Sequence, residues 1–324
     1  MPRGPRLDAP GTLHHVIIRG IEKRRIVRSD TDREDFVRLL GEKADATGTT
    51  VYAWSLMTNH AHILLKSGKI GISGMMRKLL TSYAVRHNLR NRRHGHLFQN
   101  RYKSIICEED PYFLQLVRYI HLNPLRAGLV KSIRELDGYR WSGHSAIMGN
   151  QKYDWQDTGR VLMMFGGGGA KGRDKYREYI LGGVNDGRNP GLVGGGLIRS
   201  MGGWSEVLSA RRRGDRERYD DRILGGNEFV TEVLKESGER VKSRLTRQSD
   251  TGLIEMVIRK ECKRLGTTVL VLRRGGRRLD VVRARELIAR RLVMEDGISL
   301  AEVARRLGVS TSGVANMLRR TRCR

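Results

Sequence analysis

Two apolar-patterned runs meet at a two-residue polar break, Thr58-Asn59, and this junction constrains the fold more than any other stretch. Val51 to Met57 and His60 to Lys66 read as strands of one hairpin, because polar turn residues separate two alternating runs. Leu13 to Gly20 is a further β-like run. Asp30 to Lys43 has helical spacing through Phe36, Leu39 and Leu40, and Ile72 to Leu89 repeats it through Met75, Met76, Leu79, Leu80 and Tyr83. Tyr102 to Cys107 is a short strand, and Asp110-Pro111 is expected to open the next helix, Asp as cap and Pro at the first helical position. The order β-α-β-β-α-β-α predicts an α/β (α+β) chain built on a ferredoxin-like sandwich, with an open antiparallel sheet.

Alternate residues of a strand share a face, so Ala61, Ile63 and Leu65 are expected to meet the helices while His60 and His62 lie together on the open face. Two imidazoles so placed can grip one metal ion, and Asn123 could add an amide oxygen. The spacing alone is weak: nine histidines in 324 residues give about 0.25 such pairs by chance. The chain also has a second pair, His94 and His96, in the run Arg90-Asn91-Arg92-Arg93-His94-Gly95-His96. With a central glycine and no alternating apolar residues, that run reads as a phosphate-contacting or solvated loop. On the helix after Asp110, Phe113, Val117 and Ile120 form a core stripe, and Gln115, Tyr119 and Asn123 an adjacent polar one. Tyr119 is thereby poised beside the core, although a tyrosine in that position more often serves packing.

Charge narrows the partner. Lys and Arg number 62 against 35 Asp and Glu, a formal net charge of +27, which calls for a polyanion, nucleic acid ahead of membrane. Arg77, Lys78, Arg86, Arg90, Arg92, Arg93, Arg101 and Lys103 are candidates for phosphate contacts, with Phe98 and Tyr102 available for stacking. No apolar run reaches membrane-span length and the first residues lead into no signal-peptide core, so a cytoplasmic, nucleoid-associated protein is expected. Cys107, Cys262 and Cys323 are too few and too scattered for a disulfide framework or a structural zinc site.

The expected division is residues 1–148, 149–245 and 246–324. Gly166 to Gly172 reads as a flexible break that lacks the Gly-Lys-Ser/Thr ending of a phosphate loop, and 149–245 as a Gly-rich linker and helical region with turns at Gly194–Gly196 and Gly202-Gly203. Beyond it, helical runs at Leu253 to Leu265 and Val281 to Met294 precede a helix-turn-helix pattern. Ala304 is small where helices meet, Gly308 occupies the turn and Val314 anchors the second helix, which Ser310 caps. Thr311, Ser312 and Asn316 are then candidate base readers, and Arg319, Arg320 and Arg322 phosphate contacts.

Three blocks in order resemble one family. Asn59-His60-Ala61-His62, Gly95-His96-Leu97-Phe98-Gln99-Asn100-Arg101-Tyr102-Lys103-Ser104 and Tyr119-Ile120-His121-Leu122-Asn123-Pro124-Leu125-Arg126-Ala127-Gly128-Leu129-Val130 look like the REP-associated tyrosine transposases, members of the HUH superfamily. The likeness covers about residues 8 to 145. It implies that His60, His62 and Asn123 bind a divalent cation, Mg²⁺ or Mn²⁺, and that Tyr119 is the nucleophile. It also implies single-stranded hairpin DNA as substrate and a 5′-phosphotyrosine intermediate. Ala61 departs from the bulkier apolar residue usual there. The C-terminal pattern resembles the duplex-binding domain of the replication initiator DnaA, which implies flanking duplex DNA as a second partner; monomer and dimer both stay open. The rival reading is a domesticated DNA-binding regulator that does not cut. An RNA-binding module is weaker, because the strands lack paired exposed aromatics. Retention of His60, His62, Tyr119 and Asn123 together favours the nuclease, since a pure binder has no physical need of all four.

Overall fold

The computed structural model describes residues 7–186, 192, 220, 222–244, 251–274, 276 and 278–320. It divides into two compact units, Met1–Met75 with His96–Lys242, and Met76–Gly95 with Ser243–Arg324.

In the first unit the strands are β1 (Leu13–Arg19), β2 (Thr50–Leu56), β3 (His60–Lys66) and β4 (Lys103–Cys107), interleaved in sequence with helices α1 (Asp30–Thr47) and α2 (Ile72–Arg90), the latter belonging to the second unit from Met76 on. The sheet order β2-β3-β1-β4 with antiparallel neighbours is the ferredoxin-like arrangement that the element order predicts. Strand ends fall within a residue of expectation. Helix α1 runs a turn longer, to Thr47, and stops at Gly48, whose φ of 61° is left-handed. A fifth strand, β5 (Ile223–Leu224), pairs parallel with β4 and has no counterpart in the sequence pattern; it leads into a helix at Asn227–Arg244, within the region expected to be partly helical.

The sheet is open in the sense that its edges do not meet, yet the face shared by His60 and His62 is not bare. Helix α3 (Glu109–His121) lies on it: Phe113, Leu116, Val117 and Ile120 are fully buried with Leu13, Ala53, Leu64 and Ile105 of the sheet. The alternation of β3 is as expected, but period two cannot say what covers a face. Asp110 is not the cap. Glu108 precedes α3, and its carboxylate accepts from Gly226 N at 2.8 Å rather than from the helix, while Asp110 sits in the first turn, where its charge suits the helix dipole. Nor does Asn123 continue α3. Pro124, which has no N–H to give and disfavours helical backbone before it, coincides with a break at Leu122, and Asn123 starts the short helix α4 (Asn123–Arg126).

Four short or medium helices follow: α5 (Ile133–Asp137), α6 (Gly143–Ile147), α7 (Thr158–Met163) and α8 (Ala170–Gly182). Val161, Leu162, Tyr176 and Ile180 are buried in the same core as α3, so the glycine run is a turn between packed helices, with Gly166 and Gly167 at φ 94° and 105°. The turns expected at Gly194–Gly196 and Gly202-Gly203 lie outside the described residues.

The second unit is helical. Residues of α2 beyond Met75 join helices at Thr251–Arg264, Val269–Arg273, Leu279–Arg290, Leu300–Leu307 and Thr311–Arg320, and Val85 and Leu89 pack on a core that includes Ile258, Leu272, Ile288, Val303 and Val314. Ser82 Oγ donates to Met294 O at 2.7 Å. The last two helices form the expected helical pair: Ala304 and Val314 are buried, Gly308 is left-handed at φ 67°, and Ser310 Oγ accepts from Gly313 N at 3.0 Å. A Cβ on Gly308 would lie 2.5 Å from Arg273 O. Gly308→Ala is therefore expected to destabilise this unit by about 1–3 kcal/mol, through a strained φ and a backbone clash. Hydrogen exchange of amides 300–320 in the full chain reads this; unchanged protection would refute it. Among the described residues no helix is long and apolar enough to cross a membrane.

Candidate active site

Register assembles the site. His60 and His62 face Arg19 and Ile17 across the β3–β1 ladder, and His15, two residues earlier on β1 and opposite Leu64, becomes the diagonal neighbour of His62. Helix α3 lays Tyr119 over this corner. Ring centroids are 5.4 Å apart for His60 and His62, 5.7 Å for His62 and Tyr119, and 5.9 Å for His15 and Tyr119.

Both predicted ligand histidines are held at Nδ1. Asn59 Nδ2 donates to Lys23 O at 3.1 Å, which fixes the amide so that Asn59 Oδ1 accepts from His60 Nδ1 at 2.6 Å. His60 Nε2 is then the bare nitrogen. His62 Nδ1 lies 2.9 Å from His15 Nε2. Burial, with the Arg19 charge as a second cause, pushes His60 down to about 4. Burial also holds His62 well below the usual histidine range, with the neighbouring His15, His60 and Arg19 adding to it. Both rings are neutral at pH 7, the form that binds metal.

Among the described residues no group of three or more His, Cys, Asp or Glu side chains is placed to hold a metal ion. A divalent ion at this corner would therefore rely on two imidazoles and an amide. The family-like blocks offer Asn123 for that part; its side chain is partly buried and Nδ2 meets no hydrogen-bond partner, so no bond at Nδ2 is lost if the amide turns about χ2. The donor set fits a borderline cation such as Mn²⁺ at least as well as Mg²⁺.

Two residues of the site carry no signal in the sequence pattern. His15 is hidden in the β1 run, because its relation to His62 is a cross-strand diagonal and not a sequence spacing. Arg126 stands in the third family-like block with no role attached to it. Its Cζ stands 5.6 Å from the Tyr119 ring centroid, Nη2 donates to Gly183 O at 3.1 Å, and Nε and Nη1 are buried without partners. Burial lowers its pKa, against the opposing pull of Tyr119 and Asp186.

The predicted phosphate contacts divide between the units. Lys103 is exposed at the start of β4, opposite Ile17 and so in the same cross-strand row as His62, and Arg101 is exposed just before it. Tyr102 is 8% exposed and is therefore not available for stacking, while Phe98 is half-buried beside Gly20. Arg77, Lys78, Arg86, Arg90, Arg92 and Arg93 belong to the second unit, where Lys78 pairs with Asp296 at 3.5 Å and Arg93 Nη1 donates to Asn88 Oδ1 at 3.2 Å. His94 and His96 are exposed in the loop after α2. Thr311, Ser312, Asn316, Arg319 and Arg320 are all on the last helix and all exposed, with Arg319 Nη1 donating to Asn316 Oδ1 at 3.3 Å. Arg322 and Cys323 lie outside the described residues.

Residues 11–123 match the family of IS200-like transposases. The match spans about a third of the chain, and the transposase-like segment contains His15, His60, His62, Tyr119 and, as its last residue, Asn123. A solved structure of a REP-associated tyrosine transposase bound to a REP hairpin aligns at 15% identity and a TM-score of 0.40, covering 48% of this chain and 98% of that one. The comparison with curated proteins gives no match.

Proposed function

We propose that this chain is a transposase acting as a metal-dependent single-stranded DNA endonuclease and strand transferase, with Tyr119 as nucleophile. The observation that carries the reading is the convergence of the His60, His62 and Tyr119 rings at one sheet corner inside the segment that matches transposases. His60 and His62, through Nε2, and Asn123, through its amide oxygen, would hold Mg²⁺ or Mn²⁺. When bound, the ion offsets charge on the scissile phosphate. The Tyr119 oxygen bonds to phosphorus as the bond to the 3′ oxygen breaks, leaving a 5′-phosphotyrosine and a free 3′-hydroxyl that takes up the phenol's proton. Because the new ester keeps the phosphodiester's energy, a 3′-hydroxyl can reverse the step and join strands. Arg126 beside the ring lowers the cost of negative charge on the phenol oxygen.

The assignment of 1–148 to the nuclease, 149–245 to a linker and helical region and 246–324 to a DnaA-like duplex-binding module belongs to the same reading. Thr311, Ser312 and Asn316 would meet base edges, and Arg319 and Arg320 phosphates; Arg101 and Lys103 would contact the cleaved strand. The substrate is hairpin-flanked single-stranded DNA, and the setting the nucleoid in a bacterial cytoplasm.

Incubation with labelled single-stranded hairpin DNA from the gene's own flanks, with Mg²⁺, Mn²⁺ or EDTA, tests this. A denaturant-resistant protein–DNA adduct is expected with either metal and none with EDTA. Tight binding without adduct in every condition would replace the nuclease with the regulator.

A further inference from the structure

We infer that His15 is a positioning residue that, with the main-chain carbonyl of Leu192, sets the tautomer of His62. The inference rests on the metal-site reading above. A carbonyl oxygen can only accept, so His15 Nδ1, 3.2 Å from Leu192 O, carries the proton. Complete burial favours the neutral ring, and a neutral His15 then has a bare Nε2, which can only accept from His62 Nδ1 at 2.9 Å. His62 in turn keeps Nε2 bare. The direction of both hydrogen bonds is thus dictated by one carbonyl 177 residues away in sequence from His15. Asn59 does the same for His60 by a separate route, so both imidazoles present the same nitrogen. His15 is itself no ligand, since its Nε2 is spent on His62. Its ring stacks on His62 at 5.1 Å, is wholly buried, and cannot turn without losing both bonds. Leu192, 6% exposed, belongs to the core beneath α3, and this gives a residue beyond the transposase-like segment a part in shaping the site.

The test needs no activity. In metal-free wild type labelled with ¹⁵N-histidine, two-bond ¹H–¹⁵N correlation should show His62 protonated at Nδ1 and bare at Nε2; the opposite tautomer would overturn the inference. His15→Phe, checked for folding by its melting curve, should lose that tautomer and weaken Mn²⁺ binding, read by electron paramagnetic resonance, about 10- to 100-fold. His15→Gln, whose Oε1 can accept from His62, should restore both to within a few-fold. A folded His15→Phe with unchanged tautomer and affinity would also overturn it. Absence of Mn²⁺ binding by wild type would sink the metal reading instead, and the wild-type spectrum would still decide the relay.

Discussion

Tyr119→Phe is expected to lose covalent adduct formation by at least about 10³-fold while hairpin affinity stays within about twofold, because only the attacking oxygen is removed. The ring itself is retained, with its edge contacts to His15 and His62 and the Arg126 guanidinium above it. Those contacts are made by carbon faces and edges, so phenylalanine fills the same space and the fold should be little disturbed. The deeper anchors of α3, Phe113, Val117 and Ile120, are untouched and fully buried. The variant thereby separates chemistry from binding. Denaturing gels report the adduct and filter binding the affinity. A persistent adduct would show that another residue attacks. Loss of binding along with the adduct would show that the phenol hydroxyl serves recognition.

The sequence reveals this site unevenly, for physical reasons. Hairpin and helix periods are local, so the alternation from His60 to Lys66 bounds β3 correctly and puts His60 and His62 on one face. What covers that face is a matter of tertiary packing, and nothing in an alternating run announces α3 above it. His15 illustrates the limit best: its place beside His62 depends on the pairing of Ile17 with His62, a register set by the whole sheet. Tyr176 and Ile180 complete the core from a helix rich in glycine and charge, whose pattern gives no sign of such burial. Strand β5 is two residues long and exists only because β4 offers it an edge. Asp110 does not cap α3 because Glu108 competes for the helix start and then spends its carboxylate on Gly226. In the C-terminal pair, by contrast, the cap, the glycine and the anchoring valine all act within a few residues, and all three are legible in the sequence.

Acidification is expected to unfold the first unit over a window set by buried neutral histidines. His14 is 0% exposed, its Nε2 2.8 Å from Thr12 Oγ1 and its Nδ1 2.9 Å from Ser104 Oγ; burial pushes it down to about 4 despite the opposing charge of Asp8. His62 and His121 lie well below the usual range and His144 below it, all through burial first. One network shows why a proton is refused. The Asp137 carboxylate accepts from His144 Nε2 at 2.8 Å, so neutral His144 has a bare Nδ1, to which the Tyr176 hydroxyl donates at 2.8 Å. That hydroxyl in turn accepts from His121 Nδ1 at 2.8 Å. A proton on His144 Nδ1 would leave the buried Tyr176 hydrogen without a partner. The sign follows from linkage: below about 6.5 the unfolded chain takes up protons that the fold excludes, so stability falls as pH falls, and above that value these groups contribute nothing. For His14 alone the loss is about 2 kcal/mol at pH 5. Asp137 belongs to a lower window. Burial opposes its ionisation, but bonds to His144 and Arg177 prevail and hold it below the carboxylate range, so its share is lost only beneath about pH 4. Melting temperature should therefore be level from about pH 8 to 7 and drop steeply between about 6.5 and 4.5. A level melting temperature down to about pH 5 would mean that the histidines are protonated in the folded chain, and with that the neutral imidazoles on which the metal site depends would be lost as well.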